Sequence, residues 1–287
     1  MKLASSRLML LGAMLIFGTV GIFVFYIPLP SAAIALARAV LGLLFLLAVM
    51  LFSRRKIQWT RIKKQLPLLL LSGAALGANW VLLFEAYRHT SVASATACYY
   101  LAPILLVLAA PLLGDRLTLR KLLCVIAAFI GMVFVSGVMT QSAPQLTGIF
   151  FALGAAVLYA GVMVMNRKLT QTDSLDRTLV QLLMAAVAVL PYVLATWEPG
   201  LLAQVDAKGW CFLAIVGILH TGVAYWLYFA SVGKLPSQTM AVLSYLDPVV
   251  AILLGALVLR QRIDIFGILG SVLILGSALF CELKKSK

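Results

Sequence analysis

Apolar residues along this chain are gathered into long runs, and only short polar stretches separate one run from the next. The ten runs span residues 8–26, 31–52, 66–87, 92–113, 118–138, 147–166, 178–196, 209–230, 237–258 and 263–281. Each is close to the ~20 residues that an α-helix needs to cross a bilayer. The pattern therefore predicts an all-α membrane protein of ten transmembrane helices, and the short connections predict antiparallel neighbours.

The second half of the chain repeats the first. Residues 100–103, with the sequence YLAP, align with residues 245–248, YLDP, at a spacing of 145 residues. This repeat divides the chain into segments 1–140 and 147–287, each with five of the predicted helices. Because five is odd, the second segment enters the membrane from the opposite side to the first. The expected arrangement is an inverted 5+5 repeat.

Small residues also recur four positions apart in matching helices. Gly73 and Gly77 in the third run align with Gly217 and Thr221 in the eighth. Small side chains at this spacing allow helix backbones to approach closely. The third and eighth helices are therefore predicted to be closely packed inner helices.

Composition supports the membrane assignment. Hydrophobic residues make up 63% of the chain and charged residues 11%, whereas soluble domains have roughly 45–50% and about 25%. The four cysteines lie far apart inside apolar runs, which argues against a disulfide framework or a metal site. The net charge of +14 comes from residues in the connections, which argues against a nucleic-acid groove.

The distribution of lysine and arginine predicts the orientation. With the N-terminus in the cytoplasm, eighteen of these residues fall in inner connections or tails and four in outer ones. Positive charge accumulates on the cytoplasmic side of membrane proteins. The first run is long for a signal-peptide core and lacks an Ala-x-Ala cleavage site, so it is expected to be a retained span. We therefore expect a multi-pass protein of the cytoplasmic membrane, with both termini cytoplasmic.

Several short motifs resemble a known family. Arg38 lies between alanines in the second run, Tyr100 and Pro103 lie in the fourth, and a Gly-Asp-Arg-Leu corner occupies residues 114–117. In these features the whole chain resembles the EamA type of the drug/metabolite transporter superfamily. The resemblance implies ten helices in an inverted 5+5 repeat around a central cavity lined by helices 1–4 and 6–9. Two departures are the aspartate of the corner, where glutamate is usual, and Asp247 before the second proline.

Polar and aromatic residues at mid-membrane depth are few, and they are the candidate substrate-binding residues. They are Arg38, Asn79, Trp80, Tyr99, Tyr100, His220, Tyr225, Tyr245 and Asp247. Arg38 and Asp247 offer opposite charges that suit a zwitterion, and the aromatic rings suit an apolar side chain or a cation. The alternatives are structural: Asp247 stays protonated or pairs with Arg38, Arg38 braces its helix, and the rings serve ordinary packing.

Two of these residues are candidates for proton coupling. Asp247 lies near the centre of the ninth run, where a charged aspartate costs ~2.5–3.5 kcal/mol and usually faces a cavity or a partner. His220 lies at matching depth in the eighth run, and histidine titrates near neutral pH. A lone membrane histidine is equally expected as a hydrogen-bonding residue between helices.

The motifs that are missing narrow the function. The chain has no phosphate loop and no His-Glu-x-x-His motif, so we expect no enzyme, no cofactor and no metal site. The leading hypothesis is a gradient-driven transporter of small polar metabolites that exports amino acids or related compounds. A carrier of organic cations or drugs is the alternative, and a non-transporting receptor or assembly factor is the alternative of another class. The expected partners are a small-molecule substrate, protons and the lipid bilayer, without nucleic acid; both a monomer and a homodimer fit the sequence.

Overall fold

The computed structural model describes residues 2–109, 118–135, 146–231, 243–244, 246–261 and 264–282, and its regular elements in these ranges are all helical. The first segment contains α1 (Lys2–Phe25), α2 (Ser31–Phe52), α3 (Trp59–Lys64), α4 (Leu66–His89), α5 (Val92–Tyr99), α6 (Ala102–Leu108) and α7 (Leu119–Val135). The second contains α8 (Leu146–Lys168), α9 (Ser174–Ala195), a 3₁₀ turn (Leu201–Gln204), α10 (Ala207–Ala214), a π-helix (Ile215–Val223), α11 (Ala224–Ser231), α12 (Leu246–Leu257) and α13 (Ile265–Glu282).

The long helices are apolar enough to cross a membrane. Within the described residues, six spans meet this requirement: Ser5–Phe25, Ser31–Phe52, Leu66–His89, Leu146–Asn166, Ser174–Ala195 and Ala207–Tyr228. Shorter apolar helices cover Val92–Leu106, Leu122–Phe134, Leu246–Leu257 and Ile265–Ser277. The prediction of an all-α, multi-pass membrane protein is confirmed, whereas the count of ten crossings stays a prediction.

The fourth apolar run is broken rather than continuous. The helix α5 begins after Ser91, whose hydroxyl accepts a hydrogen bond from the Ser94 N–H at 3.0 Å. It ends at Tyr99, and α6 begins at Ala102. Pro103 follows at once, and proline has no N–H for the bond that a helix interior requires. The break therefore places Tyr100 at a turn inside the bundle.

Helices of the two segments pack against each other in matching pairs. In the first segment, α1 contacts α11 and α12, and α2 contacts the π-helix. In the second, α8 contacts α4, α5 and α6, and α9 contacts α4. The helices α7 and α13, one from each segment, also pack together. Most of the core contacts therefore join one segment to the other.

Glycines allow two of these contacts to be close. A methyl group at Gly73 would lie 2.8 Å from the Gln181 carbonyl oxygen of α9. On α2, Gly42 would meet the Thr221 side chain of the π-helix at 2.4 Å. The close packing predicted for Gly73 and Thr221 is thus present, and their partners are α9 and α2.

The π-helix fits a difference in spacing between two helices. Gly217 and Gly222 are five positions apart, and they face Leu41 and Phe45, which are four apart on α2. An α-helix would carry a five-residue step off the contact face, whereas the wider turn of a π-helix keeps both glycines on it. The π-helix therefore accommodates one extra residue between the two glycines while both remain in contact with α2.

The two ends of the bundle differ in their polar contacts, and we name them for an arginine at each. The Arg55 face holds the connections α2–α4 and α8–α9, where Arg55 donates to Asp173 Oδ2 at 2.6 Å. The Arg88 face holds the connections α1–α2, α4–α5 and α9–α10, where Arg88 Nε donates to Ser31 Oγ at 2.9 Å. The Arg55 face is the end that the charge distribution predicts to be cytoplasmic.

Candidate functional site

Arg38 is held inside the bundle by residues of both segments. Its side chain is 5% exposed, and its Nε donates to Thr221 Oγ1 at 2.7 Å. Its guanidinium carbon lies 4.3 Å from the centroid of the Trp80 ring and 5.7 Å from that of Phe84. Stacking on aromatic rings offsets part of the cost of a buried cation. Within the described residues this is the one hydrogen bond of Arg38, so its terminal nitrogens stay available for a ligand.

Asp247 lies in the first turn of α12 and is half-buried. The hydroxyl of Tyr100 donates to its Oδ2 at 2.6 Å, from the turn between α5 and α6. The carboxylate interacts electrostatically with Arg38, yet no salt bridge joins these two described residues. Direct pairing of Arg38 with Asp247, one of the structural alternatives from the sequence, is therefore wrong.

A glycine of α1 shapes the backbone beside this acid. A methyl group at Gly18 would lie 2.6 Å from the carbonyl oxygen of Asp247. The helix α1 can approach the start of α12 this closely because Gly18 has no side chain.

Asn79 is fully buried and is occupied by protein partners. Its Nδ2 donates to the Ala155 carbonyl oxygen of α8 at 2.6 Å, and its Oδ1 accepts from the Tyr99 hydroxyl at 3.3 Å. Tyr99 in turn stacks on Tyr159, with ring centroids 5.2 Å apart, and meets Tyr100 edge to face. Asn79 thus positions Tyr99 and α8, and a continuous row of contacts leads from α4 to Asp247.

Tyr225 lies on α11, on the same side of the bundle as Arg38. Its ring meets the edge of Phe17 of α1, with centroids 5.4 Å apart, and it interacts electrostatically with the Arg38 guanidinium. Like Tyr99, Tyr100 and Asp247, it keeps partial exposure although it lies among the helices. These four residues therefore face space inside the bundle.

Among the described residues, His220 makes no hydrogen bond with another candidate, although it interacts electrostatically with Arg38. It is fully buried between the π-helix and α1, with Nε2 2.7 Å from Thr19 Oγ1 and Nδ1 3.2 Å from the Ile215 carbonyl oxygen. Its ring also meets the edge of Phe23, with centroids 5.1 Å apart. Both ring nitrogens thus have protein partners, which is the hydrogen-bonding alternative from the sequence. Tyr245, the remaining candidate, lies outside the described residues.

Sequence reasoning missed two residues that support this arrangement. Phe84 lies four positions after Trp80 and shares its helix face, so the spacing alone could have indicated it. Thr19 gave no signal, because a single threonine in an apolar run is common.

A separate cavity opens between α2, α4, α8 and α9 near the Arg88 face. Its volume is about 970 Å³. Apolar side chains such as Val81, Phe151 and Val189 line it, together with Glu85 and Arg88. None of the eight candidate residues that the structure describes lines this cavity, so it is distinct from the contacts around Arg38 and Asp247.

The fold and its polar interior define a multi-pass membrane protein in which two long segments pack their helices together around charged and aromatic residues. Residues 5–137 and 146–282 each match the EamA-like transporter family, and the chain belongs to this family. It is therefore a transporter of the drug/metabolite type, as the sequence motifs predicted.

Curated relatives agree with this assignment. The chain is 30% identical to the uncharacterized transporter YxxF of Bacillus subtilis (strain 168) over 266 residues, which cover 91% of this chain and 84% of the relative. It is 27% identical to protein PecM of Dickeya dadantii, with 75% and 73% covered. It is 25% identical to protein RarD of Salmonella typhi, with 81% and 78% covered.

A solved crystal structure shares the fold. It matches 96% of this chain and 97% of its own chain with a TM-score of 0.66, at 21% sequence identity. At this identity the likeness concerns the fold alone.

Proposed function

We propose that this chain is a gradient-driven carrier of small polar metabolites, an exporter of amino acids or related compounds, that works by alternating access. The observation that carries the proposal is the presence of Arg38 and Asp247 inside the bundle without a salt bridge between them. Two opposite charges that do not neutralise each other by contact offer separate positions for the two ends of a zwitterion.

The group that each charged side chain can bind follows from its atoms that have no hydrogen bond to the described residues. The terminal nitrogens of Arg38 can hold a carboxylate by a two-pronged contact. The Oδ1 atom of Asp247 accepts no hydrogen bond within the described residues and can accept from an ammonium group. The rings of Trp80, Tyr100 and Tyr225 would surround the apolar part of the substrate.

The proposed architecture is ten helices in an inverted 5+5 repeat, segments 1–140 and 147–287, with the central site between them. Two observations support it: the EamA-like family matches twice along the chain, and the helix contacts occur in pairs in which the segments exchange roles. Carriers of this kind bind substrate at the repeat interface and open it to one side at a time. The Arg55 face would be cytoplasmic, in the cytoplasmic membrane.

Flux through proteoliposomes tests the proposal directly. The purified protein should exchange a labelled amino acid across the bilayer, and Trp80→Ala in one segment and Tyr225→Ala in the other should each weaken binding in a folded protein. Loss confined to one segment would contradict a shared site. Absence of flux for every metabolite tested would favour a receptor or assembly factor.

The orientation has its own test. Single cysteines introduced in the 53–65 connection should be labelled from the cytoplasm, and those introduced at 200–207 from outside. Labelling of both from one side would contradict the proposed number of crossings.

Transport of organic cations is the second candidate, because aromatic rings surround Asp247. Tyr100 contacts its carboxylate directly, and Tyr99 packs on Tyr100. An anion among aromatic faces is a common way to hold a cation. Phenylalanine and phenethylamine differ only by the carboxylate that Arg38 would bind. Preference for the amino acid supports the zwitterion, and equal or better transport of the amine supports the cation.

Proton coupling is part of the proposal, with Asp247 as the first candidate and His220 as the second. Asp247 is half-buried and faces the interior space, so opening to either side would change its access to water. His220 is fully buried and has protein partners at both ring nitrogens.

A further inference from the structure

The connection between α2 and α4 carries a concentrated positive charge on the Arg55 face. Residues 53–65 contain six basic residues and no acidic one. The six are Arg54, Arg55, Lys56, Arg61, Lys63 and Lys64, and all are exposed. We name this group the basic platform.

Within the part of the chain that the structure describes, one member of the basic platform forms ion pairs with acidic residues. Arg55 donates to Asp173 at 2.6 Å and lies 3.8 Å from Asp176, both at the start of α9. Among the described residues, the side chains of the other five members make no ion pair or hydrogen bond. Five positive charges on one face therefore remain available to a partner.

The fold fixes the backbone that carries these side chains. Ile62 of α3 is 2% exposed and packs with Leu69 and Leu169, so the short helix is anchored against both segments. At the end of α2, Arg54 adopts a left-handed φ of 50°, and the Arg55 N–H bonds to the Met50 carbonyl oxygen at 3.0 Å. This closing turn and the buried isoleucine direct the cations away from the bundle.

Apolar surface adjoins the platform on its membrane side. Leu51 and Phe52, at the end of α2, are 78% and 86% exposed, and Trp59 on α3 is 59% exposed. Tryptophan at this depth is typical of the boundary between headgroups and acyl chains. A ligand that fits both surfaces therefore needs a negatively charged headgroup next to an apolar tail.

We infer that the basic platform binds an anionic phospholipid, with the phosphate on Arg61, Lys63 and Lys64 and the acyl chains along Leu51 and Phe52. Clusters of four to eight basic residues beside a transmembrane helix attract anionic lipids. A role limited to membrane orientation during insertion would require positive charge but no fixed layout beside exposed apolar residues. The inference does not depend on which substrate is carried.

Native mass spectrometry of the full chain in detergent tests this binding. The probes are phosphatidylglycerol and phosphatidylcholine with the same acyl chains. The variant R61Q/K63Q/K64Q removes three charges that pair with none of the described residues, and it keeps Ile62. The wild type should retain phosphatidylglycerol in preference to phosphatidylcholine. The variant should bind phosphatidylglycerol at least about tenfold more weakly, since it lacks three basic residues that contribute up to about fivefold each.

The matched control removes the same charge from the same predicted face. K284Q/K285Q/K287Q should retain phosphatidylglycerol as the wild type does. A thermal-shift measurement completes the test: both variants should unfold at the wild-type temperature without lipid, and added phosphatidylglycerol should stabilise the wild type and the control but not the platform variant. Undiminished retention by the platform variant, equal loss in the control, or equal binding of phosphatidylcholine would overturn the inference.

Discussion

The basic and acidic ends of the candidate site are built differently. Arg38 is 5% exposed, donates to Thr221 and stacks on Trp80, so elements of both segments enclose it. Asp247 is half-buried, and its side chain has a single hydrogen bond among the described residues, from Tyr100. Arg38 is therefore part of the packed interior, whereas the surroundings of the Asp247 carboxylate can change.

This difference follows from what each charge costs. A charged side chain at mid-membrane depth costs ~2.5–3.5 kcal/mol on insertion scales. For Arg38, a desolvated cation–π contact returns ~2 kcal/mol and a charged hydrogen bond ~1.5–3 kcal/mol. Asp247 has only the second kind of compensation. Removal of Arg38 should therefore affect stability first, and neutralisation of Asp247 should affect function first.

The largest effect is expected for Arg38→Ala. The substitution leaves Trp80 and Thr221 without their partner and opens a void, so it should destabilise the protein by about 3 kcal/mol and abolish transport. Thermal unfolding in detergent and proteoliposome flux measure the two effects. Arg38→Lys keeps the charge but loses the planar contact with Trp80, so its stability should be intermediate. An unchanged unfolding temperature in Arg38→Ala would show that the base is not part of the packing.

The next effect concerns the acid. Asp247→Asn keeps the shape and the contact with Tyr100, and its amide oxygen can still accept from the substrate ammonium, so the protein should fold and still exchange substrate, with weaker affinity. Net transport driven by a pH gradient should be lost, because the amide cannot carry the proton. The measurement is uptake into liposomes with and without an imposed pH gradient.

A matched variant separates the two coupling candidates. His220→Gln keeps a hydrogen-bonding side chain between Thr19 and Ile215, so it should retain pH-driven transport. If Asp247→Asn keeps its response to the pH gradient and His220→Gln loses it, the coupling role belongs to the histidine. If neither loses it, another group carries the proton; if the wild type itself shows no response to the pH gradient, transport is facilitated diffusion.

The sequence predicted the helices and the meeting of the two segments more fully than it predicted the details of the site. The second run coincides with α2, because a long apolar run whose one charged residue is Arg38 satisfies its backbone in lipid only as a helix. The repeat aligned residues 100–103 with residues 245–248. In the structure, Tyr100 of the first stretch contacts Asp247 of the second.

The rest depended on contacts that a single sequence does not contain. The π-helix arises because Gly217 and Gly222 must match Leu41 and Phe45, and this register is set only when the helices pack. His220 could not be assigned to the lipid side, the core or the cavity, because a membrane helix is apolar all round and has no clear polar face. The partner of Asn79 is a backbone carbonyl, which no residue type identifies.

A smaller effect should separate the two neighbouring tyrosines. Tyr100→Phe removes the hydrogen bond to Asp247, so substrate affinity should fall by about tenfold, equivalent to ~1.4 kcal/mol. Tyr99→Phe removes a neutral bond to Asn79, and it should lower stability by about 1 kcal/mol with little change in affinity. Binding and thermal-shift titrations measure both. If Tyr99→Phe lowered affinity and Tyr100→Phe lowered stability instead, Tyr99 would belong to the site and Tyr100 to the packing.

The smallest effect concerns a carboxylate on the Arg55 face, outside the membrane-spanning segments. Burial raises the pKa of Asp173, but hydrogen bonds from Arg55 and from the Leu175 N–H outweigh burial, so the pKa lies below its ordinary value of 3.8. A lowered pKa means that the folded protein binds a proton less readily than the unfolded chain. The carboxylate therefore stabilises the fold above the unfolded pKa, and this contribution is lost as the pH falls through the folded value.

Asp173→Asn keeps the cap at the start of α9, because asparagine caps helices as well as aspartate does. Since the pair is partly exposed, the variant should be less stable by under about 1 kcal/mol at neutral pH, and the difference should disappear below the folded pKa. Unfolding temperatures of both proteins across the pH range measure this. Because the pKa of Asp173 is lowered below its ordinary value, the carboxylate stays ionised between pH 5 and 8 and contributes no pH dependence to stability over that interval. The pH dependence of transport between pH 5 and 8 should therefore be the same in Asp173→Asn and in the wild type. Such a dependence would then arise at Asp247 in the site and not at this surface pair.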